Sequence, residues 1–232
     1  MHTLYHGNCL DILPKLWQRI DAIVSDPPYG MGLDTDYTRF SGSLHSNGEW
    51  ALGVPNDDKP FDPAHLLNYP QVVLFGMNHY PDKLPAGGAF VWLKKRDSQM
   101  GQFLSDAEIA WVKGIQGVYV FTHIWHGFDR ESERGEKVLH PTQKPVAVMQ
   151  WIIERVTNPG DTVCDPYMGS GSTGVAAILS GRNFVGIEMQ KEYFDTAQER
   201  IENAARQMRG EFRRLADVRR YNDLPLLAEA AS

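Results

Sequence analysis

Asp161-Thr162-Val163-Cys164-Asp165-Pro166-Tyr167-Met168-Gly169-Ser170-Gly171-Ser172-Thr173-Gly174 is the stretch that decides the fold. Its first five residues read as a buried strand, and the rest as a glycine-rich turn. Gly174 to Leu179 then reads as a helix that stops near Gly181. A second strand, Asn183 to Glu188, follows, and an amphipathic helix is expected from about Lys191 to Met208. A βαβα unit of this kind places ligands at the carboxyl ends of parallel strands.

The turn contains G-x-G-x-x-G at Gly169, Gly171 and Gly174, in the strand-to-helix context that gives the pattern meaning. Glu188 ends the next strand 19 residues after Gly169, where a carboxylate can accept hydrogen bonds from ribose hydroxyls. Glycine suits a backbone that a ligand approaches closely. Two ligands fit this much: a dinucleotide with pyrophosphate on the helix N-terminus, or S-adenosylmethionine. Asp165 favours the second, since a carboxylate repels pyrophosphate and attracts the ammonium end of a methionine moiety.

Working outward, apolar runs and helical patterns alternate, as in a parallel sheet covered by helices. Leu4-Tyr5-His6 is a short strand candidate, and residues 9–19 have helical spacing. Asp21-Ala22-Ile23-Val24-Ser25 is a buried strand. Val72 to Phe75, Ala89 to Leu93 and Val118 to Phe121 are further strands, and Lys144 to Val156 reads as a helix. Residues 31–62 and 126–143 look irregular, and a loop of about 30 residues in a compact domain is usually functional or disordered. The tail, Leu226 to Ser232, is expected to fray.

The strand at 21–25 ends in Asp26-Pro27-Pro28-Tyr29. Asp26 should therefore emerge at the carboxyl edge of the sheet. Two prolines stiffen the turn and remove backbone donors, leaving carbonyl oxygens free to face a ligand. Tyr29 adds a flat ring beside this acceptor cluster. That suits the amino group of adenine or cytosine, whose nitrogen lone pair is delocalised into the ring. If Asp26 and a proline carbonyl accept its two hydrogens, the nitrogen is drawn toward tetrahedral geometry and can attack a sulfonium methyl in line. Positioning and electrostatics would supply the rate.

Bulk properties set bounds. The 232 residues suffice for one α/β domain and are short for two. No apolar run approaches the ~18 residues of a membrane span, and Met1 to Tyr5 lacks the features of a signal peptide. Cys9 and Cys164 are the only cysteines, so no zinc site can be built from them; reduced thiols in the cytoplasm are expected, with no metal and no membrane. The net charge of -6 does not advertise nucleic acid. A local basic track would be needed, and Lys94-Lys95-Arg96, Arg130, Arg134, Lys137 and Lys144 offer one in pieces.

With both motifs in view, the chain resembles the amino-methyltransferases of DNA in the permuted arrangement called the beta group, where Asp-Pro-Pro-Tyr precedes the cofactor loop. His140-Pro141-Thr142-Gln143-Lys144-Pro145 resembles the segment that opens the helix ahead of that loop. Phe75 to Tyr80 and Trp92-Leu93-Lys94 resemble the family's central strands, and Arg182 to Glu188 with Glu192-Tyr193 its second cofactor strand and following helix. The family usually has Gly-Asp near its first strand; here the pair is Gly7-Asn8, and Asn8 can both donate and accept toward an adenine.

The resemblance implies a Rossmann-like fold with a seven-stranded, mostly parallel sheet, helices on both faces and a circularly permuted motif order. It implies one domain over 1–232, with a catalytic half at 1–30 and a cofactor-binding half at 140–208. Residues 31–62 and 97–138 would be variable loops that recognise the target. Carried over, the catalytic residues are Asp26, Pro27, Pro28 and Tyr29. S-adenosylmethionine would be bound by Asn8, Asp26, His140, Thr142, Lys144, Asp165, Tyr167, Met168, Gly169, Ser170, Gly171, Thr173, Glu188 and Met189.

DNA is the implied partner, with a homodimer and a cognate restriction endonuclease as further family traits, in a bacterial or phage setting. Asp in the first position of the tetrapeptide is associated with adenine more than cytosine, which points to adenine N6. Arg39, Arg96, Arg130 and Arg134 could contact phosphates or a guanine edge. Rival readings are an NAD-type oxidoreductase, which leaves Asp26 to Tyr29 unexplained, cytosine N4 as the target, a non-catalytic DNA-binding relative, and methylation of RNA or protein.

Overall fold

The computed structural model describes residues 1–16, 19–32, 57–102, 105–126, 129–135, 138–140 and 142–222, with 211–222 described by backbone alone. Arg39, Lys137, Pro141, the 33–56 part of the first irregular segment and the tail at 226–232 lie outside the described residues.

The chain begins with β1 (His2–His6), a short helix α1 (Cys9–Ile12), and β2 (Ala22–Ser25). Over its described residues 9–16, the helical spacing is realised as α1 and a single 3-10 turn at Leu13–Lys15, where Pro14 has no N–H to continue the α-helix. Next come β3 (Gln71–Phe75), β4 (Gly88–Leu93), β5 (Ala107–Val112) and β6 (Val118–Thr122). A two-stranded ribbon follows, β7 (Trp125–His126) and β8 (Asp129–Arg130). The second half holds α2 (Val146–Val156), β9 (Thr162–Asp165), α3 (Ser172–Leu179), β10 (Asn183–Glu188) and α4 (Lys191–Asn222).

Among the described residues eight strands form the main sheet, in the order β1-β10-β9-β2-β3-β5-β4-β6, where the resemblance implied seven. All neighbours are parallel except the two pairings of β5, which runs antiparallel between β3 and β4. The 97–138 segment therefore also supplies β5 and β6 to the sheet and the β7–β8 ribbon. Sequence reading missed β5 because Glu108 interrupts its apolar run.

Both faces of the sheet are covered, so alternate strand residues enter different cores. Val24, Val73 and Phe75 pack with Met149 and Ile152 of α2, Ala176 and Ala177 of α3, and Ala197 and Ile201 of α4. Ile23, Val72 and Leu74 point the other way, toward Cys9, Leu13, Phe61, Leu66 and Tyr80. The two halves of the chain meet where β2 lies parallel to β9, with Ile23 opposite Cys164. Connections leave this point in opposite directions along the sheet, which opens a crevice beyond the strand ends. Asp26, Asp165 and Glu188 are all delivered there.

Candidate active site

A cavity of about 580 Å³ occupies that crevice. Asp26, Pro27, Pro28 and Tyr29 line one side. Asn8, Gly169, Glu188 and Met189 line another, with His140, Thr142 and Tyr167 also on the wall.

Asp26 leaves β2 into a turn that the rest of the chain holds rigidly. Its Oδ1 accepts from the Tyr29 hydroxyl and its Oδ2 from the Lys144 ammonium. Each oxygen keeps a second lone pair for a ligand. Burial holds the Asp26 carboxyl above its ordinary value, the paired Lys144 ammonium opposing the shift and Glu108 adding to it. The Tyr29 ring stacks on His79 at 4.8 Å between centroids, 10° from parallel. Behind it Gly76 has φ +75°, and a Cβ there would stand 2.2 Å from Tyr29 Cε1. Asp57 secures the far end of the turn, accepting from the Gly30 N–H at 2.8 Å and the Met31 N–H at 3.3 Å.

Glu188 Oε2 accepts from the Gly169 N–H at 2.9 Å and Oε1 from the Gln190 N–H at 2.8 Å. Burial raises its pKa, opposed by these backbone donors. Asn8 caps α1 and lines the cavity, its Oδ1 accepting from the Leu10 N–H at 3.0 Å, which leaves its amide nitrogen available as a donor. His140 packs edge-on against Tyr193 at 4.3 Å. Burial, with Lys144 adding to it, pushes His140 down to about 4, so the ring is neutral at pH 7. The Thr142 N–H donates to Nδ1 at 3.2 Å, consistent with the hydrogen on Nε2.

Other expected ligand contacts lie behind this wall. Lys144, Asp165, Met168, Ser170, Gly171 and Thr173 do not line the cavity. Lys144 is buried against Asp26 and Glu108, and serves the catalytic loop directly. Asp165 accepts from the Ser25 hydroxyl at 2.6 Å, the Thr173 hydroxyl at 2.5 Å and the Tyr167 N–H at 3.1 Å. It is an anchor for the glycine turn, and burial raises it to about 6 despite these donors. Met168 is a core residue.

The glycines also divide their roles. A Cβ on Gly171 would meet Ala197 at 2.9 Å, and one on Gly174 would meet Ile201 at 2.4 Å. Both let α4 pack on α3, and of these three turn glycines Gly169 lines the cavity. Arg200 donates to the Ser170 carbonyl at 2.7 Å and reaches Ser172 Oγ at 3.3 Å. A guanidinium thus braces the turn where a dinucleotide would place pyrophosphate.

Sequence reasoning missed an aromatic wall. Phe61 stands edge-on to Tyr167 at 5.7 Å and to Tyr80 at 5.1 Å, and the Tyr167 hydroxyl pairs with His65 Nε2 at 3.2 Å. Phe61 and His65 lie at or just past the end of an irregular stretch with no periodic signal, so only the fold brings them to Tyr167 and the crevice. The Tyr193 hydroxyl, at the cavity edge, is buried without a hydrogen-bond partner.

The basic track is largely committed internally. Lys94 pairs with Glu108 at 2.7 Å, buried Lys95 with Asp106 at 2.9 Å, and Arg96 with Asp129 at 2.9 Å. Arg130 lies over the Trp125 ring at 4.8 Å, and Arg134 Nε donates to the Arg130 carbonyl at 2.6 Å. Among the described residues no helix is long and apolar enough to cross a membrane.

The N6/N4 methyltransferase family model, described as DNA methylase, matches residues 94–199. Type II methyltransferase M2.MboI of Moraxella bovis is 24% identical, over 91% of each chain. A crystal structure of an M1.HpyAVI–SAM complex is 29% identical and superposes with a TM-score of 0.51, covering 86% of this chain and 100% of that one. PvuII DNA methyltransferase, described as cytosine-N4-specific, is 17% identical with a TM-score of 0.53 over 86% of each chain, a likeness of fold alone. The fold is the Rossmann-like one of S-adenosylmethionine-dependent methyltransferases.

Proposed function

We propose, from the premise that the chain is a relative of the N6-adenine and N4-cytosine DNA methyltransferases, that it transfers a methyl group from S-adenosylmethionine to adenine N6 in DNA. The observation that carries this reading is the sharing of one cavity by the Asp26 carboxylate and the Gly169–Glu188 pair.

The cavity fits the cofactor in kind. Glu188 would accept from ribose hydroxyls, Asn8 would donate toward the adenine, and the unpartnered Tyr193 hydroxyl gains a polar neighbour. When bound, S-adenosylmethionine supplies a methyl group on a positively charged sulfur; transfer forms one nitrogen–carbon bond as one carbon–sulfur bond breaks, its electron pair returning to sulfur.

The chain's own residues act on the acceptor. Asp26 and a proline carbonyl accept the two amino hydrogens, which localises the nitrogen lone pair. Tyr29, held by His79 and Gly76, offers an aromatic surface beside it. The methylated nitrogen then sheds one proton, and Asp26 is the adjacent base. A base in duplex DNA must first leave the stack, at a cost of a few kcal/mol that aromatic contact offsets in part.

The Asp at position 26 supports adenine, because Ser is common there among cytosine enzymes. The test is incubation of the purified protein with unmethylated DNA and labelled S-adenosylmethionine, followed by nucleoside analysis and modification-sensitive sequencing. N6-methyladenine in one short sequence context is the expected product. N4-methylcytosine would overturn the base assignment, and tight binding of NAD in place of S-adenosylmethionine would overturn the reaction class.

A further inference from the structure

Four charged side chains of alternating sign form a line that ends at Asp26. Lys94, just after β4, bonds Glu108 Oε1 at 2.7 Å. Glu108, in β5, holds the Lys144 ammonium through Oε2 at 3.2 Å. Lys144, just before α2, bonds Asp26 Oδ2. Its ammonium also lies 5.1 Å from the centre of the Phe75 ring. The line therefore spans three strands and the approach to a helix.

Neutralising Asp26 needs only Lys144. A second carboxylate on the same ammonium, itself balanced by a second lysine, adds desolvation without being required for charge balance. Apolar residues of similar volume often replace buried ion networks at no cost in stability. What Glu108 does supply is a second point of attachment, which fixes where the ammonium sits. It also divides the positive charge, so that Asp26 is only partly neutralised.

We propose that Glu108 is a positioning residue for methyl transfer, holding Lys144 between two carboxylates so that Asp26 remains an incompletely neutralised acceptor facing the cavity. The inference rests on the function proposed above. Burial pushes Glu108 up, but Lys144 and Lys94 outweigh it and hold the carboxyl near 2. Burial pulls Lys144 down, yet Asp26 and Glu108 together raise it above the ordinary lysine value. The groups that face Asp26 are Lys144, Glu108, Tyr29, Tyr80 and Asp165. His140 and Lys94 stand behind the first two.

The sign of the effect follows. Removing the Glu108 charge leaves Lys144 to Asp26 alone, so Asp26 titrates at lower pH and becomes a weaker acceptor. Removing the Lys144 charge moves Asp26 the other way. The experiment compares wild type, Glu108→Gln, Glu108→Asp and Lys144→Gln by single-turnover transfer across pH, by calorimetric binding of S-adenosylmethionine, and by carbon NMR of the Asp26 carboxyl. Glu108→Gln is expected to slow transfer by up to about a hundredfold. Cofactor affinity should hold, and both the acid limb and the Asp26 titration should move to lower pH. Glu108→Asp, which keeps the charge, should recover part of the rate, and Lys144→Gln should move the titration upward.

Loss of rate together with melting temperature, with no movement of the Asp26 titration, would overturn the proposal and leave Glu108 a purely structural residue. So would a Glu108→Gln enzyme as fast as wild type. An inactive wild type would overturn the proposed function instead, and the Asp26 titration would still decide the Glu108–Lys144 link.

Discussion

The Ser25 hydroxyl donates a 2.6 Å hydrogen bond to Asp165 Oδ1, joining the carboxyl ends of β2 and β9. The residue before the catalytic loop is thereby tied to the residue before the glycine turn, 140 positions away in sequence. The two halves of the site keep their spacing through this contact.

Asp165→Ala should act on stability as well as on cofactor binding. It strands two hydroxyls and one N–H in a buried place, and each unsatisfied donor costs about 1–3 kcal/mol. Urea unfolding at pH 7 should show a fall of several kcal/mol. A variant that kept full stability and lost only cofactor affinity would return Asp165 to the role of direct ligand.

Asp26→Ala should abolish transfer, by at least about a thousandfold, because the oriented acceptor for the amino hydrogens is gone. Calorimetry should find S-adenosylmethionine affinity largely intact. Equal losses of binding and rate would contradict the role assigned to Asp26.

Gly174→Ala places a methyl 2.4 Å from Ile201 Cδ1 and 2.6 Å from Phe184. Overpacking of this kind costs about 1–3 kcal/mol. The expected result is a lower denaturation midpoint with unchanged cofactor affinity in the folded protein. A selective loss of affinity would mean that Gly174 faces the ligand after all.

Gly76→Ala meets two obstacles, a φ of +75° and the Tyr29 ring at 2.2 Å. The ring must swing away from His79. Transfer should slow by tenfold or more, roughly the scale of a small misplacement at a reacting centre. Tyrosine fluorescence or a structure of the variant would report the displaced ring.

His140 carries a pH dependence of defined sign. Its folded pKa lies near 4, below the ordinary value of 6.5, because the buried ring resists charging. Its contribution to stability is complete above pH 6.5 and is lost as pH falls toward 4. Relative to His140→Gln, wild type should lose about 2 kcal/mol between pH 7 and pH 5. The variant comparison is needed because Asp165, raised to about 6, slopes the other way over the same range. Parallel stability curves for the two proteins would rule out a buried neutral His140.

The strands at 21–25, 72–75 and 161–165, the two turns and the helices after residue 144 were readable from residue order, because short-range pattern specifies them. An apolar run ending in Asp-Pro-Pro-Tyr, or in a glycine turn, encodes a strand and its exit within a dozen residues. From these, the α/β class, the cofactor type and the pair of motifs followed. Harder to see was β5, whose Glu108 breaks the apolar pattern for the sake of Lys144.

What needed three dimensions was the division of labour among residues already singled out. Lys144 pairs with Asp26, Asp165 accepts from Ser25, Thr173 and Tyr167, and Gly171 and Gly174 lie against α4. Phe61, His65 and Asp57 joined the site from a stretch with no periodic signal. Charge pairing, burial and aromatic contact depend on distances between residues tens to more than a hundred positions apart, and linear order carries no record of those distances. Local pattern sets each element and its chemistry, and the packing of the sheet decides which groups face the ligand and which hold the others in place.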